Sequence, residues 1–159
     1  MADLRALVEE VGGVDVQTYV QSGNVVFRGE SSATDAGRAI GTAIRERLGL
    51  EVAVLTRTAA QLRDLVDNNP FVGPKAGPKE LHVTFLEEKP DPERARTLAG
   101  RDFAPERFEI AGADVYLSCP DGYGRSKLGN AMFEGQLGVA ATTRNWRTVT
   151  ALAELVSTG

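Results

Sequence analysis

Hydrophobic and polar positions along this chain repeat first with the period of a helix and then with that of a strand. The opening residues place leucines and valines three and four positions apart, which predicts a helix that ends at Gly12-Gly13. Alternation from Val14 to Val20 predicts a half-buried strand, and Ser22-Gly23 predicts a tight turn into a second strand, Asn24–Arg28. The chain is therefore predicted to open with a helix and a hairpin.

The stretch up to residue 70 predicts a helix, a strand and a second helix. Apolar residues four positions apart predict a helix from about Thr34 to Leu48, and Glu51–Arg57 has the pattern of a strand. Thr58 is a predicted N-cap of a helix that ends at Asn68-Asn69-Pro70. The prolines and glycines that follow, up to Pro78, predict a loop between two halves of a single domain, at about 1–70 and 79–159.

The second half continues the mixture of strands and helices. Leu81–Phe85 alternates as a strand, and Asp91-Pro92 begins a helix that ends at Gly100. Phe108–Ile110 and Val115–Cys119 flank turn residues and predict a hairpin. Two helices are predicted to close the chain.

This order of elements predicts an α+β fold rather than a doubly wound parallel sheet, because hairpins dominate. The first half has the order of a ferredoxin-like βαββαβ unit without its opening strand. A second α/β half and the two C-terminal helices follow it.

Four blocks of this sequence resemble domain-of-unknown-function family 1697. The blocks are Tyr19–Phe27, Leu81–Leu86, Pro120–Leu128 and Ala140–Thr148. The resemblance implies a ferredoxin-like α+β architecture and no particular activity. Members of the family usually begin with a strand and an Arg-Gly-Ile-Asn-Val-Gly-Gly-like turn, which are absent here. We therefore expect either a shortened start at Met1 or another strand or chain that fills the gap.

Composition narrows the function classes. The net charge of −4 over 159 residues argues against broad charge-driven binding to nucleic acid, although a short segment stays open. The single cysteine cannot form an internal disulfide, which is typical of the reducing cytosol. The sequence shows no apolar leader and no membrane-spanning run, so we expect a cytoplasmic protein without a membrane partner.

Charge is nevertheless distributed unevenly. From Cys119 to Val149 four basic residues stand against Asp121 and Glu134, so this region carries +2 and the remainder −6. The basic residues are Arg125, Lys127, Arg144 and Arg147. Two predicted helix starts would each hold a basic pair where the helix dipole favours negative charge, which indicates an anion nearby.

The first candidate site is the glycine turn before the penultimate helix. Gly122 and Gly124 allow backbone amides to approach a ligand, and Ser126 is a predicted cap of the following helix. Arg125 and Lys127 can then neutralise a phosphate or carboxylate. The alternative is a turn in which the basic residues pair with neighbouring acids.

The second candidate is the pair Arg144 and Arg147, predicted to project from one helix face. The alternative for this pair is a salt bridge to Glu87 or Glu88, and Trp146 is predicted to belong to the core. The full predicted ligand site is Gly122, Tyr123, Gly124, Arg125, Ser126, Lys127, Arg144 and Arg147.

Two further candidate sites have weaker indications of function than the two basic ones. The hairpin Tyr19–Asn24 can line a pocket through Tyr19, Gln21 and Asn24, or form only a turn. Cys119 and His82 are the only residues of their types and could support nucleophilic chemistry if their side chains met. The alternative is that Cys119 is a small core residue, since no third orienting group is evident. One cysteine and one histidine do not form a zinc site.

The leading hypothesis is a binding domain for a small anionic ligand, namely a nucleotide, a phosphorylated metabolite or a short nucleic acid. One alternative is an enzyme that acts on a phosphorylated or carboxylated small molecule. Another is a structural protein, for instance a homodimer that completes the sheet. The sequence identifies no cofactor and no catalytic residue.

Overall fold

The computed structural model describes residues 2–19, 24–29, 32–72, 79–120, 122–123 and 126–158. These residues form six helices and six strands. In chain order they are α1 (Ala2–Glu10), β1 (Val14–Tyr19), β2 (Asn24–Arg28), α2 (Ala33–Leu48), α3 (Ala59–Asp67), β3 (Leu81–Leu86), α4 (Pro92–Ala99), β4 (Arg107–Ala111), β5 (Asp114–Ser118), α5 (Asn130–Leu137), β6 (Ala141–Asn145) and α6 (Trp146–Thr158). All strand pairs are antiparallel. The predicted α+β class is confirmed.

The chain divides into two compact units. The first comprises Met1–Gln61 with Leu152–Gly159, and the second comprises Leu62–Ala151. In the first unit, strands β1 and β2 pair as the predicted hairpin, with Thr18 opposite Val25. Helices α1 and α2 contribute the side chains that form its core with the hairpin: Leu7, Val8, Val16, Ile40 and Ile44.

The predicted strand Glu51–Arg57 is wrong, because this segment pairs with no described strand. It runs instead against helix α2. A Cβ built on Gly37 would lie 2.9 Å from Cγ2 of Thr56, and Val54 packs against the core of the first unit. Val54 and Thr56 therefore pack within this unit while Val52 is exposed, and the described part of the unit holds a two-stranded sheet.

Local capping signals place two helix starts as predicted. The Thr58 hydroxyl accepts the Gln61 amide at 3.1 Å, and the Gln61 side chain accepts the Thr58 amide at 2.8 Å. This reciprocal pair is a capping box at α3. Asp91 accepts the Arg94 amide at 3.2 Å and begins α4.

The second unit contains a four-stranded sheet in the order β4-β5-β3-β6. Strand β3 is interior and nearly all of it is buried. Register partners share a face of the sheet, which defines two faces. The His82 face carries His82, Thr84 and Leu86 with their register partners. The Arg144 face carries Val83 and Phe85 with their register partners, and Arg144 is the partner of Val83 on β6.

Helices α4 and α5 cover the His82 face. Leu98 of α4 and Phe133 and Leu137 of α5 join the core formed by Val115 and Leu117. On the Arg144 face, the Tyr116 hydroxyl donates to the Leu65 carbonyl of α3 at 2.8 Å. Helices α4 and α5 thus pack on the His82 face, and α3 contacts the Arg144 face through Tyr116.

Candidate functional site

The loop that joins β5 to α5, residues 119–129, holds most of the predicted ligand site and is termed the site loop. Gly124 and Arg125 lie outside the described residues. Helix α5 begins at Asn130, and its N-cap Gly129 makes no side-chain capping bond. Ser126 was predicted to cap this helix, which is wrong. Its hydroxyl instead accepts the Leu128 amide at 2.9 Å and so closes a local turn before the helix begins.

The predicted pair of arginines on one helix face is also wrong. Arg144 lies in strand β6, opposite Val83, and only Arg147 lies in α6. The cap of α6 is Asn145, whose side chain accepts the Thr148 amide at 2.8 Å. β-Branched Thr142 and Thr143 favour the strand that the sequence pattern did not reveal.

The structure separates Arg144 from Tyr123 of the site loop, because the two residues lie on opposite faces of the sheet. The Tyr123 ring stacks on His82, with centroids 4.7 Å apart and planes 24° apart, so Tyr123 lies at the His82 face. Arg144 shares the face of Val83. Its guanidinium donates to the Thr143 carbonyl at 3.1 Å, and burial lowers its pKa. Arg147 is exposed in the first turn of α6.

A cavity of about 400 Å³ opens beside the site loop. The loop contributes Gly122 and Lys127. The remaining lining comes from the segment after α4, residues 101–106, which the sequence pattern did not single out. Its members are Arg101, Asp102, Phe103, Ala104, Pro105 and Glu106. The one feature of the sequence that could have indicated this segment is its density of charged and aromatic residues, directly after the helix stop at Gly100.

One hydrogen bond joins the two walls of this cavity, because Glu106 accepts the backbone amide of Lys127 at 3.2 Å. Within the segment 101–106, Asp102 accepts the backbone amide of Ala104 at 2.9 Å. The Arg101 guanidinium lies 5.4 Å from the centre of the Phe103 ring. Gly122 has a φ of +91°, a conformation that other residues rarely adopt, and no atom lies within 4 Å of where its Cβ would be. The cavity is therefore bounded by anchored charges and an open backbone.

His82 is partly buried beneath Tyr123. Its Nδ1 is buried and has no hydrogen-bond partner among the described residues. Burial lowers the pKa of the imidazole, and the Glu80 backbone raises it by a smaller amount. The ring is therefore neutral at neutral pH, which suits stacking on an aromatic ring.

The matched family is described as a protein of unknown function, DUF1697, and the match covers residues 1–116. This chain belongs to the DUF1697 family. A solved structure of a conserved bacterial protein from Streptococcus pneumoniae is similar with a TM-score of 0.79 and 16% identity, over 99% of this chain and 88% of that one. At that identity the likeness shows the fold alone. No curated protein matches the sequence.

In this DUF1697 member, Cys119 belongs to the core. The side chain is fully buried, its thiol donates to the Ser126 hydroxyl at 3.6 Å, and burial raises its pKa to about 11. Cys119 and His82 lie on the same face of the sheet, and the partners that the structure gives the thiol are the Ser126 hydroxyl and the Glu106 carboxylate rather than the imidazole. A thiol held in the protonated form is a poor nucleophile.

We predict that Cys119 resists alkylation in the folded protein. A thiol pKa of about 11 in place of 9.0 lowers the thiolate fraction at pH 8 about 100-fold, and burial restricts access further. Iodoacetamide labelling followed by mass spectrometry should therefore be at least about 100-fold slower than for the same chain unfolded in urea. Equal labelling rates in the two states would show that the thiol is accessible.

The structure tests only part of two other predictions, those for the hairpin and for Trp146. The hairpin candidate Tyr19–Asn24 includes residues 20–23, which lie outside the described residues. Within the described part, the buried Asn24 side chain donates to the Tyr19 carbonyl at 3.3 Å, which links the end of β1 to the start of β2. Trp146 is half-buried at the start of α6.

Polar side chains on the His82 face form a chain that the sequence did not reveal. Thr84 and Thr143 hydroxyls lie 2.7 Å apart, and Thr143 donates to the Asn130 side chain at 2.6 Å. No described helix is long and apolar enough to cross a membrane. The described residues hold no group of three or more potential metal ligands of the His, Cys, Asp or Glu types.

Proposed function

We propose that the second unit binds a small anionic ligand in the cavity beside the site loop. The observation that carries the proposal is the shared lining of a cavity of about 400 Å³ by Lys127, Gly122 and Arg101. Ammonium and guanidinium groups form charge-assisted hydrogen bonds with phosphates and carboxylates. The volume lies within the range of small-molecule sites, which favours a metabolite or mononucleotide over a nucleic-acid segment.

The proposed site is narrower than the set predicted from sequence. Gly122 and Lys127 line the cavity, while Tyr123 and Ser126 hold the loop through His82 and Leu128. Gly124 and Arg125 stay in the proposal because they connect Tyr123 to Ser126 in the chain. Arg144 is not part of the proposed site, since it lies on the other face of the sheet. Arg147 is not part of it either, since it is exposed in α6 and is not among the described residues that line the cavity. As the single cysteine favours a reducing compartment, we place this activity in the cytoplasm.

We favour binding over catalysis because the described part of the cavity offers no activated nucleophile. The buried thiol of Cys119, with its raised pKa, does not line the cavity. Neither does His82, the chain's only histidine.

We predict that Lys127→Gln weakens anion binding about 10-fold or more, because a hydrogen bond to a charged group is worth about 1.5–3 kcal/mol. Isothermal titration with inorganic phosphate, adenosine monophosphate and a short oligonucleotide would measure it. Lys89→Gln is the matched control. The Lys89 side chain lies near Gly112, which belongs to the β4–β5 turn. This turn is at the end of the sheet opposite the site loop. If wild-type protein binds none of these probes, or if both variants weaken binding equally, the proposed site is wrong.

A further inference from the structure

Among the described residues, the cavity lining carries charges of both signs in equal number. Arg101 and Lys127 are basic, and Asp102 and Glu106 are acidic. Among the described residues, none of the ion pairs includes any of these four side chains. Opposite charges thus share one cavity without neutralising each other as close pairs.

The acidic side chains are held in place by the backbone rather than by cations. Asp102 accepts the Ala104 amide through one carboxylate oxygen. Glu106 accepts the Lys127 amide through one carboxylate oxygen and also makes a side-chain hydrogen bond with the Cys119 thiol. A carboxylate has a second oxygen with its own acceptor sites. These groups weaken the binding of a ligand with only negative charge, and they attract an ammonium group.

We propose that the ligand of this cavity is a small zwitterion of the amino-acid class, which carries one ammonium group and at least one acid group. Asp102 and Glu106 receive the ammonium, and Arg101 and Lys127 receive the carboxylate or phosphate. The half-buried Phe103 supplies an apolar wall for the remainder of the ligand. This inference rests on the proposed function, since it assigns the class of ligand to the same site.

Two pairs of compounds that differ only in the ammonium group test the inference. O-phosphoserine is compared with N-acetyl-O-phosphoserine, and serine with N-acetylserine, by isothermal titration against the full chain. In the pair that binds more tightly, we expect the free amine to bind at least about 10-fold more tightly than its acetylated form, because acetylation removes one charged contact. The pair that binds identifies the acid group as a phosphate or a carboxylate.

Asp102→Asn and Glu106→Gln provide the matching variants. Each retains the oxygen that accepts the backbone amide and removes the charge. The double variant should bind the free amine no more tightly than the acetylated compound. It should bind the acetylated compound at least as tightly as wild type does, because two negative charges have been removed. Glu88→Gln, an exposed position after β3, is the control and should leave the preference unchanged.

The outcomes separate this inference from the proposed function. If wild-type protein binds the acetylated compounds as tightly as the free amines, the zwitterion assignment fails while anion binding stands. If the preference for the amine survives in the double variant, the assignment of Asp102 and Glu106 is overturned. If none of the compounds binds and the phosphate and nucleotide probes also fail, both proposals fall.

Discussion

Replacing Phe133 by alanine is expected to lower the free energy of unfolding by about 3–5 kcal/mol, the usual cost of removing a buried aromatic side chain. Phe133 is fully buried, and its ring meets that of Phe108 edge-on, with centroids 6.0 Å apart. It anchors α5 on the His82 face together with Leu137. Since domains are stable by about 5–15 kcal/mol, the loss is a large fraction of the total.

Urea unfolding followed by circular dichroism would measure this change, with Phe71→Ala as the matched control. Phe71 is only partly buried, and its ring faces the Arg107 guanidinium at 4.9 Å. We expect its truncation to cost about 1–2 kcal/mol, because less apolar area leaves water. A Phe133→Ala loss no larger than the Phe71→Ala loss would mean that α5 is not anchored as described.

The parts of the fold that sequence predicted correctly are those specified by neighbouring residues. Asp91-Pro92 begins α4 through a cap that lies within one helical turn. Gly112 has a φ of +63° in the turn between β4 and β5, where glycine is favoured. Such signals act over a few residues, so a single sequence contains them in full.

The errors occurred where contacts distant in the chain decide the structure. Strand β6 exists because it pairs with β3, which precedes it by more than fifty residues, and Arg144 follows that pairing. The segment Glu51–Arg57 has the alternation of a strand and packs on a helix instead. The cavity likewise joins Lys127 to residues 101–106, a juxtaposition that no local pattern encodes.

The second large effect on the free energy of unfolding is expected from a substitution in the polar chain on the His82 face. Thr143→Val should lower the free energy of unfolding by about 2–3 kcal/mol, because it leaves buried polar groups without partners. Thr143 donates to Asn130, so the proton between the two threonine hydroxyls belongs to Thr84. Thr84 is fully buried. Valine at position 143 would retain the shape of the side chain but would leave the Thr84 hydroxyl without an acceptor.

A double-mutant cycle read by urea unfolding tests this assignment of donors. Thr84→Val alone should cost about 1 kcal/mol, since Thr143 keeps its bond to Asn130. The double variant Thr84→Val/Thr143→Val should be more stable than Thr143→Val alone, because no buried donor remains unpaired. Thr143→Ser retains the hydroxyl and should restore most of the stability. Simple additivity of the two valine changes would show that the hydroxyls act independently. Coupling would instead establish that the interior strand, the edge strand and the start of α5 are joined by one hydrogen-bonded chain.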